Sequence, residues 1–274
     1  MEILLCYLFY FVAATASPLQ RRQLAIRRTT DSGQLDFAGR VMGIAVVLSL
    51  GLAIFQPPHL KQSLLAVVLL ALVCGVFGAI GIGAQYVAQR HVEAGMTTLV
   101  GNLYTPVTIV LGTTLLHEGL KPLQIVGTLI LLSSVVIVGK KHRIGKWNFD
   151  RYFWLMVASG VSLGLVLTAE RTLIKNNGLT AGTWISWGSQ ALCLVVATYV
   201  TKSKSQYNLR DTSITGVLRF FQQVSWVVLV TVVGNLSLAS SITTFKIVVV
   251  FVTAAVFLGE REDLRRKIVC SLVA

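Results

Sequence analysis

The chain of 274 residues is 54% hydrophobic and only 13% charged, with a mean hydropathy of +0.74. Soluble chains carry roughly 25% charged residues, so these figures exclude a water-soluble domain, a disordered segment and a disulfide-stapled secreted module. The 24 Lys and Arg outnumber the 11 Asp and Glu by +13, yet the basic residues fall between long apolar runs instead of forming a face, which points to anionic lipid headgroups rather than nucleic acid.

A membrane-crossing helix needs ~20 mostly apolar residues. The sequence predicts such spans near Ile3–Pro18, Phe37–Phe55, Ser63–Val87, Ala94–Leu116, Pro122–Val138, Tyr152–Ile174, Thr180–Val200, Thr215–Val233 and Leu238–Leu258. Ala14-Thr15-Ala16 resembles a signal-peptide cleavage site, but Met1-Glu2 lacks the positive leading region, and the first run reads as a span. Between the spans lie turn-formers and charges that hydrocarbon rejects: Gln56-Pro57-Pro58-His59, His117 to Pro122, Lys140-Lys141-His142-Arg143, Asn176-Asn177-Gly178 and the polar stretch from Thr201 to Thr212. Beyond Glu260, the stretch Leu264–Ala274 starts like another span and stops after too few apolar residues to cross ~30 Å. The expected fold is an all-α integral membrane protein with about nine complete transmembrane helices plus a truncated tenth. The odd-numbered loops hold most of the Lys and Arg, which by the positive-inside rule places them in the cytoplasm and the amino terminus outside. Cys6, Cys74, Cys193 and Cys270 lie in or beside apolar runs without metal spacing and read as small hydrophobes.

Two segments are alike at an offset of 142 residues. Asn102-Leu103-Tyr104-Thr105-Pro106 leads through Leu116-His117-Glu118 to Gln124-Ile125-Val126-Gly127. Thr244-Phe245-Lys246-Ile247-Val248 leads through Leu258-Gly259-Glu260 to Arg266-Lys267-Ile268-Val269. Arg22-Gln23-Leu24 and Arg171-Thr172-Leu173 follow the same division. The chain thus divides into five-span halves, 1–139 and 152–274, joined by a basic loop at 140–151, with the second half incomplete. An odd span number per half inserts the halves with opposite orientation, the inverted-repeat design of many secondary transporters.

Ten spans in two halves, with Leu-x-Glu closing the fourth and ninth and Gln124-Ile125-Val126-Gly127 opening the fifth, resemble the EamA-type families of the drug/metabolite transporter superfamily. The resemblance covers nearly the whole chain. It implies a carrier of small organic metabolites or drugs that works by alternating access, with the fourth and ninth spans lining a central cavity. It also implies both termini in the cytoplasm, against the charge count, so orientation stays open. Lys246 departs from the many relatives whose ninth span is uncharged.

Lys246 is the strongest single signal: eight residues into a span, roughly 12 Å deep, its charge costs ~2.5–3.5 kcal/mol to insert unless it meets a cavity or partner. A snorkelling lysine is the alternative. Its repeat equivalent is Tyr104. Asn102, Tyr104, Thr105 and Thr108 give the fourth span a polar aspect, interrupted by Pro106, and serve either a cavity or interhelical bonding. Gln85, Tyr86, Gln190, Gln222 and Gln223 mix the same two roles, with Gln85 and Gln223 the better site candidates. Glu118 and Glu260 close equivalent spans beside Lys121 and Arg261 and read as paired. Glu170-Arg171 reads as a cavity-mouth pair, and Gly39, Gly43, Gly75, Gly78, Gly160 and Gly164 as close-packing positions.

The residues expected to bind solute are Lys246, Tyr104, Asn102, Thr105, Gln85 and Gln223. The expected activity is secondary transport rather than catalysis, since no HExxH or P-loop is present. No cofactor is expected. The partners are a small-molecule solute and the lipid bilayer of a cell membrane, with a proton or ion as a coupling candidate and a homodimer as an assembly candidate. The competing readings are a membrane-embedded enzyme using His91 or His117-Glu118, and a structural subunit whose Lys246 faces a partner.

Overall fold

The computed structural model describes residues 2–27, 33–117, 122–139, 150–260 and 268–269, and their regular structure is helical throughout. In chain order the α-helices are α1 (Glu2–Ile26), α2 (Gln34–Ser49), α3 (Leu64–Ala88), α4 (Ala94–Gly101), α5 (Tyr104–Thr114), α6 (Pro122–Gly139), α7 (Arg151–Thr201), α8 (Leu209–Val233), α9 (Leu236–Ile242) and α10 (Lys246–Phe257). Among the described residues, six helical stretches are long and apolar enough to cross a membrane: Gln34–Ile54, Leu64–Ala88, Ala94–Thr114, Arg151–Thr201, Leu209–Val233 and Leu236–Phe257. The outward faces agree. On α3, Leu65, Val68, Leu69, Leu72, Val76 and Ile80 form an exposed apolar stripe, while Cys74, Gly75, Gly78 and Ile82 are buried. A continuous stripe of that kind is costly in water and suited to lipid. The protein is an integral, multi-pass membrane protein.

Side-chain caps fix several helix starts. Ser63 Oγ accepts from Ala66 N, Asp150 Oδ1 from Phe153 N, Asn208 Oδ1 from Asp211 N and Asn235 Oδ1 from Leu238 N. Asn208 moves the start of α8 to Leu209, ahead of the Thr215 expected from hydropathy. At the other end of the chain α1 does not stop at Pro18 but continues to Ile26. Pro18 has no N–H to offer the Ala14 carbonyl, yet the helix carries on around it.

The Asn176-Asn177-Gly178 break separates two helices, as expected, and does so in a sharp kink. α7 thus consists of two helical arms that meet at Gly178, with φ 82° and ψ 166°, a conformation that a side chain resists. The freed polar groups find partners in the α2–α3 connection: Asn177 Oδ1 accepts from Lys61 N and Gln62 N, Gln56 Oε1 accepts from Leu179 N, and Thr180 Oγ1 donates to Gln56 O. The bend wraps α7 around α3. Gly81 receives Ser159 and Leu163 from the arm before it; Gly75 and Gly78 receive Ser189, Gln190 and Cys193 from the arm after it. Ser159 Oγ donates to Gly81 O at 2.7 Å.

Two expected spans are interrupted. The fourth breaks at Asn102 and Leu103, between α4 and α5, and the ninth breaks in a 3-10 turn at Thr243–Phe245, between α9 and α10. Lys246 therefore follows directly on a 3-10 turn within the stretch Leu236–Phe257 instead of lying inside a regular α-helix. The interruptions meet, because Asn102 Nδ2 donates to Thr244 Oγ1 at 3.1 Å across the same separation of 142 residues.

The ends of several helices are tied at one cluster. Arg22 Nε pairs with Glu260 Oε1 at 2.8 Å, Arg22 Nη1 donates to Gln89 O and Arg90 O at 2.7 and 2.6 Å, and Glu260 Oε2 accepts from Ala94 N at 2.8 Å. Glu260 is thus paired as expected, here with Arg22 of the first span. Arg261, Glu118, most of the 140–151 loop and nearly all of the stretch expected to start a tenth helix lie outside the described residues.

Candidate functional site

A cavity of about 120 Å³ opens among α1, α3, α4, α7, α8 and the start of α10. Each wall is one helix face. Arg219, Gln222, Gln223 and Trp226 of α8 follow i, i+3, i+4, i+7 spacing, as do Leu163, Val166, Leu167 and Glu170 of α7. Tyr10, Ala14 and Arg21 line it from α1, and the α4–α5 junction adds Asn102 and Tyr104.

Four charged side chains line this cavity, and all are nearly enclosed: Lys246 is 7% exposed, Arg219 8%, Arg21 3% and Glu170 5%. Lys246 Nζ donates to Tyr10 Oη and to Tyr104 Oη, both at 2.8 Å. An ammonium has three donors, so one N–H remains for the cavity. The two phenols enclose the charge, which does not reach for headgroups. Tyr104 and Lys246 lie 142 residues apart, the same separation as Asn102 and Thr244. Arg21 is held by Gln85 Oε1 at 3.1 Å and Ser17 O at 3.3 Å and stands 5.0 Å from the centre of the Tyr86 ring. Arg219 is the least satisfied: its buried Nε has no hydrogen-bond partner among the described residues.

Glu170 takes both its hydrogen bonds on one oxygen. Oε2 accepts from Ser186 Oγ at 2.6 Å and Trp187 Nε1 at 3.2 Å, and Ser186 Oγ in turn accepts from Gln190 Nε2 at 3.0 Å. These donors come from beyond the Gly178 bend, so the turn in α7 is what folds them back onto Glu170. Arg171, the expected mate of Glu170, instead donates to Gly234 O at 2.8 Å; consecutive helix residues face different directions. Among the described residues no ion pair joins the cavity's charges.

Lys246, Tyr104, Asn102, Gln85 and Gln223 all line the cavity. Thr105 does not; it is buried beside the junction, its Oγ1 without a partner among the described residues. Asn102 Oδ1, Gln222 Oε1 and Gln223 Oε1 are buried acceptors without partners among the described residues. Sequence reasoning missed Arg219 and Arg21, both through helix boundaries. Starting the eighth span at Thr215 places Arg219 one turn from an end, whereas from Leu209 it lies ~15 Å in. Ending the first span at Pro18 places Arg21 in a loop. Two of the basic residues assigned to the first loop, Arg21 and Arg22, are thus a cavity wall and a buried helix tie, which weakens the charge argument for an external amino terminus.

The sequence model of a family described as the EamA-like transporter family matches residues 1–140. No functionally curated protein matches the chain. A solved structure, titled only as the crystal structure of a protein, superposes with a TM-score of 0.65 at 13% identity, covering 99% of this chain and 94% of its own. That likeness shows a shared fold.

Proposed function

The chain belongs to the EamA-like transporter family, and from this premise we propose that it is a secondary carrier of small organic solutes, with its binding site in the cavity that Lys246 and Tyr104 share. The halves 1–139 and 152–274 act as inverted repeats that rock about this site. One observation carries the reading: residues related by the repeat offset touch each other, Asn102 with Thr244 and Tyr104 with Lys246. Residues meet their own equivalents only near a two-fold axis, and carriers of inverted-repeat design bind solute where that axis crosses the repeats. The directions agree, since Ala94 meets Glu260 while Asn102 meets Thr244, which makes the fourth span antiparallel to the ninth.

The two broken spans suit the same task. Polar backbone inside a membrane is tolerated where it borders a cavity, and both breaks lie beside Tyr104 and Lys246. In this mechanism the solute enters from one side, engages Lys246 and the unpartnered amides Asn102, Gln222 and Gln223, and leaves on the other side when one half tilts. His91 stacks on Tyr152 with ring centres 3.8 Å apart, and neither it nor His117 lines the cavity; nothing of comparable weight favours a membrane-embedded enzyme.

Site-directed labelling tests alternating access. With the native cysteines replaced and Ala14→Cys introduced into the cavity wall, a membrane-impermeant thiol reagent should label from both sides of sealed vesicles, and a carried solute should slow both reactions. Labelling confined to one side under every condition would contradict the proposal.

A further inference from the structure

Cavity charge selects the kind of solute. Arg21, Arg219 and Lys246 contribute three cations against the single carboxylate of Glu170. Each of the four is satisfied, where it is satisfied at all, by neutral groups: phenols for Lys246, an amide and a carbonyl for Arg21, a hydroxyl and an indole for Glu170. A buried charge without a counter-ion is costly inside a membrane and by default marks a ligand path. Here the surplus is two positive charges within one enclosure.

The surplus has direction. Lys246 docks on Tyr10, and Arg21 lies further along the same face of α1, ~16 Å away at 1.5 Å per residue. Arg219 enters from α8, and its guanidinium, whose planar fork matches a carboxylate or phosphate in bidentate geometry, has a buried Nε with no partner among the described residues. Arg21 is committed to Gln85 and Ser17, and Lys246 has one N–H left. Of the three cations, Arg219 is the one with a buried nitrogen that has no partner among the described residues.

We infer that the cavity takes a small organic dianion, bearing carboxylate or phosphate groups, and that Arg219 is the residue that holds it, with Lys246 completing the charge balance. This deepens the carrier reading and rests on it only for transport, since binding can be measured apart from flux. A cationic drug meets net repulsion here, because only Glu170 could attract it. A zwitterion gains from Glu170 and one cation but leaves the surplus uncompensated.

The test uses the purified full chain in detergent, with succinate and glycerol phosphate as dianions, glutamine as a zwitterion and tetraphenylphosphonium as a cation, each titrated while thermal stability and heat of binding are recorded. Comparing succinate with glycerol phosphate shows which anionic group is preferred. At least one dianion should bind saturably, the zwitterion more weakly and the cation not at all. Arg219→Gln should weaken dianion binding about 10- to 100-fold, the loss expected for a charge-assisted hydrogen bond, and Arg219→Lys should fall between. The wild-type ligand series decides the class of solute even if Arg219→Gln fails to fold. Binding of the cation or zwitterion in preference to both dianions overturns the inference and leaves the carrier reading standing, as does a dianion affinity unchanged in Arg219→Gln for the role of that residue. Dianion binding without flux in proteoliposomes supports the inference and counts against the carrier reading. Absence of binding by every probe overturns the inference.

Discussion

Lys246 illustrates how a membrane interior tolerates a cation held by neutral partners. Two phenolic oxygens at 2.8 Å replace the water it gave up, and the Tyr104 and Tyr10 rings add cation–π contacts at 4.9 and 5.5 Å from their centres. Tyr104→Phe keeps the ring and removes one acceptor, which should cost about 1–3 kcal/mol and lower the thermal midpoint; an unchanged midpoint would mean the bond contributes nothing. Lys246→Met keeps most of the apolar stem and removes the charge. Its folded yield should equal or exceed that of the wild type, because the insertion cost of ~2.5–3.5 kcal/mol disappears; a collapse in yield would show that the lysine is chiefly structural. Lys246 and Tyr104 were legible in the sequence, because a charge in an apolar run and a repeat offset are both one-dimensional signals. Arg219 and Arg21 were not, because their depth depends on where α8 starts and α1 ends, and those boundaries are set by Asn208 capping a helix in a polar stretch and by a proline that fails to stop one.

Among the elements, the bent α7 and the glycine face of α3 depend on each other. A Cβ on Gly78 would overlap the Gln190 side chain, and one on Gly75 would meet Ser189 and Cys193. Gly78→Val should therefore destabilise by about 1–3 kcal/mol, the usual range for overpacking, and should disturb the Gln190–Ser186–Glu170 chain of hydrogen bonds as it does so. Wild-type stability in that variant would show that the helices separate without penalty. The Arg22–Glu260 tie makes a different prediction. Both side chains are mostly buried, and removing one partner of a buried pair strands the other. Arg22→Met and Glu260→Gln should each lower the thermal midpoint, and the double variant should lose less than the sum of the two; strict additivity would mean that the pair is not coupled. The sequence placed the apolar runs near their observed positions. It did not reveal that two of them are broken, because Thr, Asn and Phe at the breaks are acceptable within a helix and only the contact between Asn102 and Thr244 gives the interruptions a partner.

For the molecule as a whole, charge and repetition carry the account. Its apolar belts face outward, its close-packed glycines face inward, and four enclosed charges gather at one cavity instead of pairing off. The all-helical, membrane-spanning class was readable from composition, since little except helices satisfies backbone groups inside hydrocarbon. The convergence of Lys246, Tyr104, Asn102, Gln85 and Gln223 on one cavity was readable only in part, because it requires α1 and α8 to close the space with Arg21 and Arg219. The central claim is that this cavity carries solute across a membrane. Its most direct test is uptake into proteoliposomes of the full chain, measured for labelled solutes of opposite charge with the wild type and Lys246→Met side by side. The account predicts saturable uptake of an anionic solute by the wild type and a strong loss in the variant; equal uptake by both proteins, or no uptake of any solute by folded wild-type protein, would contradict it.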